Sequence, residues 1–230
     1  LSIFLELFVK LIYRNATSIL ISSKGFESKL KPYVKKDLIF NYLPNWADDL
    51  NMDLVGAKFS IDARVHFTFA GNIGKMQNLD KIINAFSSLS DEYKKRSQLN
   101  IIGDGSNLKY LKTFSENNKH VIFHGGKPRE DMAKYYKASD FLIISLKDEP
   151  VFYATVPAKT QTYIAAKKPI LAFINGETAD IIKDYNLGLY ANPSDIESIK
   201  NVFEESIDLS KDKKEELVKN CDFLHSTTFN

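Results

Sequence analysis

The chain has 230 residues, an apolar fraction of 44% and a formal net charge of +2. It is long enough for one large domain or two small ones with a sizeable core. The balance of 31 basic and 29 acidic residues gives no general case for nucleic acid or an anionic membrane as a partner. The single cysteine, Cys221, excludes an intramolecular disulfide, argues against a cysteine-based metal site and favours a reducing compartment.

Residues 1–58 predict a partial βα unit. The opening segment, 1–14, is apolar but contains charged residues and lacks the pattern of a signal peptide, so we expect a helix packed on a sheet. Strands are predicted over 16–22 and 37–43, around a helix that begins at Lys24. Two strands and one crossover helix are too little for an independent domain. We therefore expect 1–58 to be the remnant of an N-terminal domain with its crossover linker, and the chain to be a fragment.

Residues 59–230 alternate between strand and helix patterns. This alternation, with mostly continuous apolar strands, predicts an α/β fold with a doubly wound parallel sheet. Right-handed crossovers then put the strand-to-helix loops on one edge, where a ligand is expected at the topological switch point. The predicted strands are 65–70, 99–102, 121–123, 141–144, 169–174 and 187–190. The predicted helices are 78–89, 107–116, 129–138, 157–167, 177–184, 194–205 and 211–224.

Three glycine-containing loops follow the first three of these strands, at 71–78, 103–106 and 124–128. Glycine permits close approach of backbone to a ligand, and Lys75 in the first loop adds a cation. Each of these sequences, taken alone, is typical of an ordinary turn between a strand and a helix. Their occurrence on one edge favours a flat or charged ligand that comes close to backbone.

A long irregular loop, 145–155, leads into the helix predicted over 157–167, with Pro157 in its first turn. Lys159, Thr160 and Thr162 are polar residues of the first two turns. A helix N-terminus with a lysine beside it suits an anion such as a phosphate. The alternative is that Lys159 is solvated and that Tyr163, on the same face, belongs to the core.

With these motifs in view, the chain resembles the C-terminal, donor-binding half of GT-B glycosyltransferases of family 4, which has a Rossmann-like fold. The resemblance covers nearly the whole sequence. The stretch 156–171 is most like the subgroup that builds capsule, O-antigen and exopolysaccharide. The matching motifs, in the family's order and spacing, lie at 43–48, 69–75, 101–105, 121–125, 136–140 and 156–171.

The resemblance implies a retaining transfer of a sugar from a UDP- or GDP-linked donor to a saccharide acceptor, lipid-linked in this subgroup, with no cofactor and no metal. Lys159 and Lys75 would be the catalytic cations that neutralise the leaving diphosphate. The residues that would contact the phosphates, border the nucleoside or lie near the ribose are Gly71, Asn72, Gly74, Gly103, Asp104, Gly105, His124, Gly125, Thr160 and Thr162.

The chain departs from the family at its usual pair of glutamates. The matching positions are Ala154 and Thr162. The second glutamate normally holds the ribose hydroxyls, whereas a threonine offers only one weaker hydrogen bond. Which residue replaces it is left open by the sequence.

Two other functions remain open: a GT-B sugar-nucleotide epimerase, and a catalytically silent module that binds a nucleotide-sugar or a partner protein. An epimerase would need acid and base groups in the cleft, and few are present in this half. We expect the acceptor site to lie in the missing N-terminal domain and this chain alone to be inactive. The expected location is the cytoplasm. The cluster of Lys29, Lys31, Lys35 and Lys36 is either a solvated face or a contact with anionic lipid at the inner side of the membrane.

Overall fold

The computed structural model describes residues 2–47, 50, 52–59 and 63–229. The N-terminal unit contains two helices and a two-stranded parallel sheet, whose register runs from Ser18 opposite Ile39 to Ile21 opposite Tyr42. A 3-10 turn at Lys31–Tyr33 follows the second helix. The elements of this unit are α1 (Ser2–Arg14), β1 (Ser18–Ile21), α2 (Gly25–Leu30) and β2 (Ile39–Tyr42).

The rest of the described chain forms a six-stranded parallel sheet with helices on both faces. Its strands are β3 (Val65–Ala70), β4 (Ser97–Ile102), β5 (Val121–Gly125), β6 (Phe141–Ser145), β7 (Ile170–Phe173) and β8 (Gly188–Tyr190). Its helices are α3 (Leu79–Ser87), α4 (Asp91–Arg96), α5 (Leu108–Phe114), α6 (Met132–Ala138), α7 (Lys159–Ala165), α8 (Glu177–Asp184), α9 (Ile196–Asp208) and α10 (Lys211–Leu224). The predicted α/β fold with a doubly wound parallel sheet is therefore confirmed.

The strand order is β5-β4-β3-β6-β7-β8. The direction of winding reverses between β3 and β6, which pair through Phe67 and Phe141. In open α/β sheets a ligand crevice lies at this reversal, outside the carboxyl ends of the strands. The rule places a crevice beside the loops that follow β3 and β6, and the cleft described below lies on the β3 side of this reversal.

Alternation along the strands divides the core between the two faces of the sheet. On one face, Phe67 and Phe141 pack with Phe86 of α3 and Phe203 of α9, and the Phe67 and Phe203 ring centres are 4.9 Å apart. On the other face, Leu142 and Ile144 lie in a second cluster with residues of α7, α8 and α10. The sheet thus has a buried apolar layer on both sides, as the continuous apolar strands predict.

The element boundaries require three corrections. Helix α7 begins at Lys159, so Pro157 lies in the turn before it, where its carbonyl accepts from Thr160 N at 2.8 Å. The helix predicted from Arg129 begins as a 3-10 turn and becomes α-helical only at Met132. Helix α4 was not predicted, because its sequence, DEYKKR, has no apolar period and only Ser90 caps its start.

The expectation that α1 packs on a sheet is wrong for the described chain. Apolar side chains on successive turns of α1, among them Phe4, Leu7 and Leu11, are more than half exposed. In β1 and β2, Leu20 and Ile39 are exposed as well. A two-stranded sheet has little surface to cover a helix of this length. In the described ranges, no helix is both long and apolar enough to cross a membrane.

Candidate functional site

The three glycine loops lie side by side at the carboxyl edge of the sheet and are joined by backbone hydrogen bonds. Gly71 N donates to Ile102 O at 2.9 Å, and Ile73 N donates to Asp104 O at 2.8 Å. Gly103 N donates to Gly125 O at 3.0 Å. The loops after β3, β4 and β5 therefore form one connected backbone surface, as the sequence analysis expected.

Two glycines are required by contacts between these loops. Gly103 has φ +138, and a Cβ there would lie 1.8 Å from Gly71 O. Gly105 has φ +155, and a Cβ there would lie 2.5 Å from Ile73 O. Side chains at either position would force the loops apart. These glycines consequently shape the site by allowing loop-to-loop approach.

A cleft of about 800 Å³ opens over this surface. Its lining combines backbone of the three loops with side chains of α6 and of the turn before it. Four of the sequence-predicted residues, Gly71, Asn72, Gly103 and Asp104, line the cleft. The other lining residues are Leu50, Ala70, Ile102, Gly126, Lys127, Arg129, Glu130, Met132 and Tyr136.

Lys159 brings a positive charge to the edge of this cleft. Its Nζ donates to Ala70 O at 3.0 Å and lies 4.1 Å from the centre of the Phe69 ring. A Cβ on Gly71 would be 3.0 Å from the same nitrogen. Among the described residues no carboxylate pairs with Lys159, and burial lowers its pKa to about 8. The ammonium group is therefore held beside the first glycine loop, where its partners among the described residues are a carbonyl and a ring face.

Tyr163 holds the end of β3 in place, a role that the sequence analysis missed. Its hydroxyl donates to Ala70 O and accepts from Ala70 N, both at 3.2 Å. The side chain is fully buried, and burial raises the pKa of the phenol. In the sequence, Tyr163 follows Lys159 by four residues and so shares its helix face. This spacing indicated that Tyr163 belongs to the core, but it did not indicate a hydrogen bond to β3.

Several predicted residues lie close to the cleft without lining it. Lys75 is exposed on a 3-10 turn, Lys75–Gln77, after the first loop. Gly74 N donates to the Gln77 side chain at 2.9 Å. Gly105 and Gly125 belong to the joined loops but are outside the lining.

Thr160 and Thr162 of α7 have different surroundings. Thr160 is completely buried, and its hydroxyl has no hydrogen-bond partner in the described structure. Thr162 is partly exposed, and its hydroxyl donates to Ala158 O of its own helix at 3.3 Å. Neither threonine lines the cleft.

His124 lies in a buried polar layer between the sheet and α6. Its Nε2 is 2.8 Å from Oδ1 of the Asn100 side chain. The same oxygen accepts a hydrogen bond from Gln98 Nε2 at 2.5 Å. The His124 ring packs 5.4 Å from that of Phe59. Burial, followed by the charge of Lys127, lowers the pKa of His124. The imidazole therefore contacts residues beneath the loops and is not part of the cleft lining.

The long loop 145–155 is tied to the sheet by Asp148. One carboxylate oxygen accepts from Tyr153 OH at 2.7 Å and from Asn175 Nδ2 at 2.6 Å, and the other accepts from Ser194 at 3.1 Å. The bonds from Tyr153 and Asn175 lower the pKa of Asp148. Within the ranges that the structure describes, no group of three or more His, Cys, Asp or Glu residues could hold a metal ion.

Glu177 joins the N-terminal unit to this loop. Its carboxylate accepts from Ser23 Oγ at 2.6 Å, from Lys24 N at 2.8 Å and from Gly25 N at 2.5 Å. Its own backbone N donates to Tyr153 O at 2.8 Å. Ser23 also donates to Ala154 O. One carboxylate thus caps α2 and fixes it against the segment that precedes Lys159.

Comparisons with known proteins identify a family and relatives of this chain. The family model described as "Glycosyl transferases group 1" matches residues 58–221. A curated relative, the probable glycosyltransferase WbjE of Pseudomonas aeruginosa, is 23% identical over 209 residues, which are 86% of this chain and 51% of the relative. The chain therefore spans about half the length of that relative.

Solved glycosyltransferase structures share the fold. Anabaena Alr3699/HepE in complex with UDP and glucose has a TM-score of 0.77 and 14% identity, and the match covers 100% of this chain and 64% of that one. Sucrose-phosphate synthase from Thermosynechococcus elongatus has a TM-score of 0.75 and 18% identity, with coverage of 98% and 57%. At these identities the likeness establishes the fold alone.

Proposed function

The chain belongs to the glycosyl transferases group 1 family, and from this premise we propose that it is the donor-binding part of a retaining family 4 enzyme of surface polysaccharide synthesis. The enzyme moves a hexosyl group from a nucleotide-diphosphate sugar to a saccharide acceptor carried on a lipid. In this proposal the acceptor is bound by an N-terminal domain, and the reaction takes place in the cytoplasm at the inner face of the membrane.

The observation that carries the proposal is the environment of Lys159. A buried ammonium group without a carboxylate partner is costly unless an anion binds beside it. Lys159 Nζ has a carbonyl and a ring face as partners and stands beside Gly71, which lines the cleft. A diphosphate at the first glycine loop would supply the missing negative charge.

The same placement suits the chemistry of sugar transfer. When the bond between the anomeric carbon and the diphosphate oxygen breaks, negative charge develops on that oxygen. A preorganised cation there stabilises the transition state more than the ground state. In this proposal Lys159 fills that role, Lys75 approaches from the exposed turn after the loop, and the positive charge comes from these side chains rather than from a metal ion.

Isothermal titration calorimetry with UDP and with GDP tests the proposal. UDP is the first nucleotide to try because HepE was crystallised with it. We expect one of the two nucleotides to bind and Lys159→Met to weaken that binding at least tenfold, since a charge-assisted contact is lost.

Lys168→Met is the matched control for this experiment. Lys168 is also a lysine whose pKa is lowered by burial, and its Nζ donates to Lys137 O and Ser139 O at 2.9 and 2.8 Å, away from the cleft lining. It should retain nucleotide binding. A folded chain that binds neither nucleotide, or binding that is unchanged in Lys159→Met, would contradict the proposal.

A further inference from the structure

The chain has no carboxylate at the two positions that match the family's pair of glutamates, the second of which normally holds the ribose hydroxyls. Ala154 is buried, and the Thr162 hydroxyl donates within its own helix outside the cleft lining. The two ribose hydroxyls of a nucleotide are donors, and a carboxylate is the strongest acceptor that a protein can offer them. If the proposed function holds and a carboxylate binds the ribose, that carboxylate comes from another position in the cleft.

Among the residues that the structure describes, the acidic side chains that line the cleft are Asp104 and Glu130. Asp104 follows β4 directly, in the middle one of the three joined loops. Its Oδ1 accepts from Gly105 N at 2.7 Å, which fixes the carboxylate, while no described residue donates to Oδ2. One oxygen of Asp104 is thus oriented and available.

The loop that carries Asp104 is itself rigidly placed. Asp104 O accepts from Ile73 N, and Gly103 N donates to Gly125 O. On the side of Asp104 that faces the third loop, a Cβ on Gly126 would be 4.0 Å from the Asp104 Cβ. Asp104 therefore stands between the first loop, next to Lys159, and the third loop. That is where the ribose must lie if the diphosphate binds at Gly71 and the base extends toward Gly126 and Lys127.

The topology leads to the same residue. In Rossmann domains that bind dinucleotides, the glycine loop after the first strand receives the phosphates, and an acidic residue near the end of the second strand receives the ribose hydroxyls. This chain has the same strand order but not the glycine fingerprint of those domains, so the comparison concerns position in the sheet alone. In the order β5-β4-β3-β6-β7-β8, β3 is the first strand and β4 is the second. We infer that Asp104 is the ribose-binding carboxylate of this chain, an inference that rests on the proposed function. Glu130 is exposed on the 3-10 turn Arg129–Asp131, and no hydrogen bond from a described residue anchors its carboxylate.

Because Asp104 also lies near the proposed diphosphate, its charge repels that group while it binds the ribose. Raw affinity for UDP therefore mixes two opposing effects. The ratio between the dissociation constants of a deoxy nucleotide and of UDP cancels the repulsion, since both carry the same diphosphate. This ratio isolates the contact between the carboxylate and the ribose hydroxyl.

The experiment is calorimetric titration of the whole chain with UDP, 2′-deoxy-UDP and 3′-deoxy-UDP, and with the guanosine series in parallel. For the wild type we expect the larger of the two deoxy-to-ribo ratios to be about tenfold or more. In Asp104→Asn, which keeps the bond to Gly105 through its amide oxygen, the ratio should fall severalfold, and in Asp104→Ala it should approach one. Glu130→Gln should keep the wild-type ratio.

The outcomes separate the inference from the proposed function. A chain that binds neither UDP nor GDP overturns both. A chain that binds UDP with a ratio near one, or whose ratio is the same in wild type and both Asp104 variants, overturns only the role of Asp104. A ratio that falls in Glu130→Gln and not in Asp104→Asn assigns the ribose to Glu130 instead. Thermal unfolding of each variant confirms that the protein titrated is folded.

Discussion

At the scale of single residues, the cleft depends on a lysine whose charge is poorly compensated within the described protein. Lys159 has a pKa lowered to about 8 by burial, against an ordinary value of 10.5. It is therefore charged at neutral pH but close to its titration. An anion that binds beside the ammonium group favours its charged form and therefore raises the pKa of Lys159 again.

Nucleotide affinity should consequently depend on pH. Below about pH 7.5 Lys159 is charged and UDP affinity should be level, whereas above its pKa of about 8 affinity should fall by up to about tenfold for each pH unit. Calorimetry between pH 7 and 9.5 measures this, with Lys159→Met as the comparison. A decline of equal size in Lys159→Met would show that another group is responsible.

The same pKa has the opposite effect on the stability of the free chain. Since the folded pKa of Lys159 lies below the unfolded one, the unfolded chain binds more protons between about pH 8 and 10.5. The contribution of Lys159 to the free energy of unfolding therefore rises with pH in that window. Loss of affinity there cannot be attributed to unfolding through this group.

Gly71 is the second residue on which the first loop depends. Its φ of +137 is strained for any other residue, and a Cβ would approach Lys159 Nζ to 3.0 Å. We expect Gly71→Ala to lower the free energy of unfolding by about 1–2 kcal/mol and to displace Lys159. Urea denaturation measures this cost. Gly126→Ala is the control, because the atom nearest to the added Cβ would be 4.0 Å away and the φ of Gly126 is not positive. If the two variants lowered the free energy of unfolding equally, the argument from the conformation of Gly71 would be contradicted.

At the scale of elements, the junction at Glu177 connects parts of the molecule that are distant in sequence. One carboxylate accepts three hydrogen bonds at the start of α2, while the adjoining backbone N bonds to Tyr153 O. Lys29 of α2 adds a bond to Pro150 O at 3.0 Å. The N-terminal unit is therefore attached to the loop that leads into α7.

Glu177→Ala should loosen this attachment. The loss of three hydrogen bonds to a charged group is expected to cost about 1–3 kcal/mol, because the freed donors become partly hydrated. Limited proteolysis should then cut faster within residues 15–45 while the six-stranded sheet stays intact. Glu205→Ala removes an exposed carboxylate from α9 and should behave as wild type. Equal cleavage in all three proteins would show that the junction does not hold the unit.

Elements were predictable where the local pattern was strong. The strand over 65–70 and the helices over 177–184 and 211–224 were predicted with their observed bounds. Helix α4 was not predicted because its sequence consists mostly of charged residues. Without a periodic set of apolar residues, the sequence does not show which side of such a helix faces the core. The start of α7 was misplaced because Pro157 also suits a turn that precedes a helix.

At the scale of the whole molecule, the large sheet is covered on both faces while the N-terminal unit is not. Six large apolar side chains of α1 are each more than half exposed, and the exposed Leu20 and Ile39 lie on β1 and β2. Large exposed apolar side chains, where they form a patch, are typical of surfaces that contact a protein or a membrane. In the proposed enzyme these side chains would pack against the remainder of an acceptor-binding domain.

The chain by itself should therefore bind nucleotide without transferring sugar. In the proposal the reacting groups meet between two domains, and this chain spans about half of its curated relative. Incubation with UDP-glucose and lipid-linked saccharides, followed by chromatography of the products, tests this expectation. Sugar transfer by the chain alone would refute the two-domain requirement, and a full-length protein that binds UDP without transfer would favour a silent binding module.

The sequence by itself determined the class of fold and indicated the edge of the sheet on which the candidate site lies, because apolar periodicity and glycine positions are local properties. It indicated Gly71, Gly103 and Asp104 on that edge and Lys159 as the cation. Only the tertiary structure decided where the winding reverses, that Thr162 bonds back to Ala158, that Tyr163 holds Ala70, and that Asp104 stands between two loops. These outcomes depend on pairing between strands and on packing across the sheet, which join residues far apart in the chain.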